Sequence, residues 1–104
     1  MNSILEIKEG IQRQTSDEII IYDITTTNWM SSPTVGTVVV YDESDDDTVV
    51  TDTVMPLGAH TDSGDVITLK PLKLLTVDHS YRIEVQFSVG SSTYECFFRV
   101  KCVR

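Results

Sequence analysis

Apolar and polar residues alternate most regularly over the last quarter of the chain. Tyr81, Ile83, Val85, Phe87 and Val89 interleave with Arg82, Glu84, Gln86 and Ser88. Beyond Gly90-Ser91-Ser92, Tyr94, Cys96, Phe98, Val100 and Cys102 continue with Glu95, Arg99 and Lys101 on the other side. Successive strand side chains point to opposite faces, so this period of two predicts one β-hairpin over Ser80–Arg104, with a buried face and a wet face.

Upstream the pattern is shorter-ranged. Asp17–Thr27 contains Ile19-Ile20-Ile21-Tyr22-Asp23-Ile24, β-branched on both parities, and predicts a central or doubly covered strand. Thr34–Tyr41 predicts a second strand. The acidic run Asp42–Asp47 reads as a turn, after which Thr48–Met55 resumes a strand, giving a second hairpin. Pro56–Gly64 reads as a polar loop and Val66–Leu69 as a short strand. Lys70–Asp78 is a crossing connection with room for one helical turn at Leu72–Leu75. Ile4–Lys8 fits either one side of a helix through Ile4, Ile7 and Ile11 or an edge strand; Gly10 and the shortness of the run favour the strand. The expected fold is therefore all-β, a sandwich or small barrel, and of the two a single-domain antiparallel β-sandwich over 1–104 is favoured, with six to eight strands and at most one short helical turn.

Tyr81 opens a strand reached by a short crossover. It is either the tyrosine corner of a Greek-key sandwich, its hydroxyl bonded to backbone a few residues upstream, or a plain half-buried strand residue.

Length and charge narrow the function classes. A chain of 104 residues can bury one core without a metal or disulfide staple. Sixteen acidic residues against eight basic ones give a net charge of −8, which disfavours phosphate backbones and anionic lipid as partners. No run approaches the roughly 20 apolar residues of a membrane span. Met1–Glu6 lacks the basic flank and apolar core of a secretory signal, so the expected setting is the cytoplasm or something assembled there. Cys96 and Cys102 lie six positions apart on one predicted strand. At ~3.3 Å per residue their Cα atoms stand ~20 Å apart, beyond the ~7 Å reach of a disulfide. Both are read as buried structural thiols.

Candidate chemistry is sparse. The Asp42–Asp47 run has no Gly for a calcium-loop bend, and the position twelve residues from Asp42 in such a loop is Thr53 rather than a bidentate Glu. A solvated turn that resists edge pairing, or one that docks a basic partner, explains the run better than a cation site. His60, Asp62 and Ser63 share one loop, which does not produce the geometry of a nucleophile, base and orienter, and no Gly-x-Ser-x-Gly elbow is present. His60 and His79 are read as surface loop residues. No catalytic residue, metal ligand or cofactor site is expected. Trp29-Met30, in the Asn28–Pro33 loop, either plugs one end of the sandwich or stands exposed as an interface anchor; the plug is the favoured reading.

Several segments together resemble small β-sandwich structural proteins of tailed bacteriophages and prophages. They are Ile19–Thr25, Val38–Ser44, Thr51–Pro56, Gly64–Leu69, and Leu75-Thr76 with Tyr81–Val85. More loosely, the chain is similar to the N-terminal domains of phage baseplate upper proteins and to immunoglobulin-like or fibronectin type III modules. It departs from the latter in lacking an early core Trp and in the wide spacing of its Leu-x-Pro and Tyr elements. The resemblance implies a non-enzymatic virion component assembled in the bacterial cytoplasm. Its implied partners are other virion proteins and further copies of itself, with no nucleic acid, membrane or small-molecule substrate. The rival expectation is a carbohydrate- or receptor-binding module. Candidate interface residues are Trp29 and Met30 together with the outward row Arg82, Glu84, Gln86, Arg99 and Lys101.

Overall fold

The computed structural model describes residues 4–26 and 31–103, with side chains described from residue 11 onward. Trp29 and Met30 lie outside the described residues, so both readings of that pair fall outside it too. The strands are β1 (Ile4–Gln14), β2 (Asp23–Thr25), β3 (Thr34–Asp42), β4 (Thr48–Val49), β5 (Thr61–Ser63), β6 (Val66–Thr68), β7 (Ser80–Val89) and β8 (Ser92–Cys102). A 3-10 turn, Glu43–Asp45, follows β3, and a single helical turn, α1 (Thr51–Val54), follows β4. The strands form two sheets, one ordered β1-β8-β7-β3-β4 and the other β2-β6-β5. This is an all-β sandwich in which the chain crosses between layers after β1, β2, β4 and β6.

The expected β7–β8 hairpin forms, with Ser80 opposite Lys101 and Val89 opposite Ser92. Tyr81, Ile83, Val85 and Phe87 are buried, as are Cys96, Phe98, Val100 and Cys102 across from them. These residues share one core with Tyr22, Ile24, Val38, Val40, Ile67, Leu69, Leu72 and Leu75. The rings of Tyr22 and Phe98 stand 5.2 Å apart across it. Cys96 and Cys102 are both free and buried, and burial pushes the Cys96 thiol up to about 12.

The strand expected over Asp17–Thr27 as central or doubly covered shrinks to β2, at the edge of the smaller sheet, with Ile19 and Ile21 exposed. Four further expectations change. First, the sandwich is not purely antiparallel: β1 runs parallel to β8, from Ile4 opposite Glu95 to Gln14 opposite Cys102, with a register shift between Glu6 and Ile11. Second, the strand expected over Thr48–Met55 stops at Val49. Thr51 Oγ1 accepts the Val40 N–H at 2.9 Å, and α1 then drives Val54 and Met55 into the core. The turn lets Val54 and Met55 both pack into one core, and this tertiary burial overrides the β propensity of Val-Val-Thr. Third, Leu72–Leu75 is not helical. Leu72 exchanges backbone hydrogen bonds with Ile20 at 2.9 and 3.1 Å, and Leu74 adopts a left-handed φ of 59°. Fourth, the loop expected over Pro56–Gly64 contributes an edge strand, β5.

The tyrosine-corner reading of Tyr81 is the one the fold adopts. Its hydroxyl accepts the Thr76 N–H at 2.7 Å, and the residue is 2% exposed. A second buried polar knot has no counterpart in the sequence reading. Gln14, fully buried, accepts from the Tyr22 hydroxyl at 3.0 Å and donates to the carbonyls of Leu72 (2.7 Å) and Glu18 (3.1 Å). It ties the end of β1 to the approach of β2 and to the crossover, leaving none of its side-chain polar atoms without a partner.

Candidate interaction face

The outward side of β3, β7 and β8 is built by the same alternation that fills the core. In register, Tyr41 lies beside Arg82 and Arg82 beside Arg99; Val39 lies beside Glu84 and Glu84 beside Phe97; Gln86 lies beside Glu95. Two arginines facing each other across neighbouring strands repel. Glu43, from the 3-10 turn, resolves the conflict by reaching both. Arg82 Nη1 donates to its Oε2 at 2.8 Å and Arg99 Nε to its Oε1 at 3.1 Å. Arg82 Nε also donates to Glu84 at 2.9 Å, and Asp47 stands 3.7 Å from its guanidinium. Burial works against the Arg82 charge, but the hydrogen bonds to Glu43 and Glu84 and the charges of Glu84 and Asp47 outweigh it and raise its pKa.

The guanidinium groups also lie on aromatic rings: Arg82 sits 4.6 Å over Tyr41 and Arg99 5.1 Å over Phe97. Beside them, Thr37, Val39, Tyr41, Glu84, Gln86 and Glu95 line an open depression of about 230 Å³. Lys101 continues the row opposite Ser80, with Arg13 beside it on β1, and half-exposed Ile11 lies beside Arg99. The structure therefore brings Arg82, Glu84, Gln86, Arg99 and Lys101 onto one face.

Glu43 is the member that the sequence reading missed, because it was counted with a solvated turn. Ser44–Asp47 are exposed, but Glu43 is only half-exposed. Asp42 is buried. Its Oδ1 accepts the Ser44 N–H at 3.1 Å, and its Oδ2 lies 2.7 Å from His79 Nδ1. Ser44 Oγ in turn accepts the Ser80 N–H at 2.9 Å. These bonds clamp the turn against the start of β7 and aim Glu43 over the sheet. The Asp-x-Ser spacing, which favours an Asx turn, was the available signal.

Neither histidine is a free loop residue. His79 bridges to Asp42, and half-buried His60 accepts the Lys70 N–H on Nδ1 at 3.0 Å. Burial and the Lys70 charge both lower the His60 pKa. Asp62, its neighbour in sequence, instead accepts the Val35 N–H at 3.0 Å. Among the described residues, no group of three or more His, Cys, Asp and Glu side chains converges as a metal site, and no helix is long and apolar enough to cross a membrane.

No protein-family model, curated protein or solved structure matches the chain.

Proposed function

We propose that this protein is a non-enzymatic structural or assembly component of a phage or prophage particle, working through protein–protein contacts of its β3–β7–β8 face. The observation that carries the contact reading is the Arg82–Glu43–Arg99 bridge laid over Tyr41 and Phe97. Arginine and aromatic side chains are enriched at the energetic centres of interfaces. Here they are already ordered by internal bonds, so a partner immobilises little that was free. The particle itself is proposed from the strand-and-turn resemblance, which also supplies assembly in the bacterial cytoplasm.

The test is to purify particles from a producing culture and quantify the chain by mass spectrometry, comparing wild type with Arg99→Glu. The expected result is fixed stoichiometry in wild-type particles and loss of the chain from variant particles, with the variant's melting curve showing a folded protein. Absence of the wild-type chain from particles, together with clear binding on a glycan array, would instead establish the carbohydrate-binding reading.

A further inference from the structure

The two sheets leave edges, and the fold treats them differently. The edge of β3 is closed by side chains: Thr51 Oγ1 takes the Val40 N–H and Asp62 Oδ2 the Val35 N–H. β1 carries exposed Arg13 and a register shift between Glu6 and Ile11, both of which blunt an edge. β5 is three residues long and wholly polar. The segment running into β2 has none of these defences over Ile19–Tyr22.

Its backbone geometry is well defined. Ile20 exchanges hydrogen bonds with Leu72, the Tyr22 carbonyl accepts from Leu69 N–H, and Thr26 N–H donates to the Asp65 carbonyl. These even-numbered residues point their backbone groups inward, toward β6 and the crossover. By strand alternation, those of Ile19, Ile21, Asp23 and Thr25 point away, along an open edge. Among the described residues, the N–H and C=O groups of Ile19 and Ile21 have no backbone partner. Their side chains are 60% and 58% exposed, so nothing described covers them.

Charge selects what can pair there. Exposed Asp17 and Glu18 stand at one end of the apolar edge and exposed Asp23 at the other. Lys70 and Lys73 belong to the crossover, on the paired side of the segment. A second copy adding antiparallel about Ile20 sets Asp17 against Asp23, and a parallel copy in register sets Asp23 against itself. Both are like-charge pairs, which destabilise a ladder.

We infer that Ile19–Thr25 is a strand-addition site for an extended, apolar segment of a partner protein flanked by basic residues. Main-chain hydrogen bonds supply the attachment, Ile19 and Ile21 the apolar contact, and the carboxylates at both ends the register and the preference for basic flanks. This is a different surface from the β3–β7–β8 face, so either reading can fail without the other.

The experiment is an amide NMR titration of the intact protein with the peptide Lys-Arg-Val-Thr-Val-Thr-Lys-Arg and, separately, with Glu-Asp-Val-Thr-Val-Thr-Asp-Glu. The expected result is saturable shifts and slowed exchange at the Ile19, Ile21, Asp23 and Thr25 amides with the basic peptide alone. Ile21→Lys, at an exposed side chain that leaves the core intact, weakens the interaction about tenfold through lost contact and added repulsion. The double variant Asp17→Lys with Asp23→Lys reverses the preference between the two peptides. Equal response to both peptides, shifts confined to other surfaces, or no saturable shift at these amides overturns the inference. Spectra of the variants, unchanged away from the edge, separate lost binding from lost fold.

Discussion

The hydroxyl of Tyr81, at the second residue of β7, accepts the backbone N–H of Thr76 at 2.7 Å. The crossover from the smaller sheet is thereby fastened to the strand it feeds. Tyr81→Phe keeps the ring in the core and removes only the acceptor, leaving the Thr76 N–H unpaired. The expected loss is about 1–3 kcal/mol of folding stability in urea denaturation. A loss within error would mean that water replaces the hydroxyl without cost.

Glu43 bridging Arg82 and Arg99 yields a second expectation. Replacing it with Gln leaves two facing arginines without their shared counter-charge and costs about 1 kcal/mol, an effect that shrinks in high salt. A double-mutant cycle should give a larger coupling for Glu43 with Arg82 than with Arg99. The first contact is shorter, and its arginine is the more enclosed, 20% against 35% exposed.

Thiol chemistry follows from the burial of Cys96, whose pKa stands at about 12 against an ordinary 9.0. A thiol reagent at pH 8 should leave both cysteines of the folded protein untouched and modify both once the chain is unfolded in urea. The unfolded state releases the Cys96 proton first, so this group's contribution to stability is complete below about pH 9 and is lost as the pH rises toward 12. Tyr22, raised to about 12 by burial and by the nearby Glu18 charge, acts with the same sign from about pH 10. Alkaline melting curves of Cys96→Ala should fall less steeply than those of wild type.

At the other end of the scale, burial and the Lys70 charge lower the His60 pKa. The unfolded chain takes up a proton near pH 6.5 and the folded chain only at lower pH. Stability from this group is therefore complete above about 6.5 and declines as the pH falls below it. His60→Asn offers Lys70 an acceptor that does not titrate. Between pH 7.5 and 5.5, its melting temperature should drop by less than that of wild type.

How far the sequence revealed the fold depended on which forces set each element. The β7–β8 hairpin was legible because its two-residue period is sustained over both strands and is enforced by burial at every second position. The parallel pairing of β1 was not, since Ile4–Gln14 carries no mark of which strand it joins and its partner lies at the far end of the chain. The end of β4 was hidden because Val-Val-Thr-Asp-Thr-Val is locally β-prone, and only tertiary packing of Val54 and Met55 turns it. On the candidate face, Arg82, Glu84, Gln86, Arg99 and Lys101 followed from parity alone. Glu43 did not, because one carboxylate in a run of five looks like the others until Asp42 fixes the turn against His79 and Ser44.

The parallel β1–β8 pair has a mechanical consequence. Parallel neighbours enter and leave side by side, so the start of β1 lies by Glu95 and the end of β8 lies by Gln14, at opposite ends of the ladder. Tension applied through these outer ends pulls the strands past each other along their length. The bonds within each of its two segments, Ile4–Glu6 and Ile11–Gln14, are then loaded together in shear, instead of being peeled open one by one as in an antiparallel terminal pair. A protein so arranged resists stretching between its two ends far better than its equilibrium stability alone would suggest.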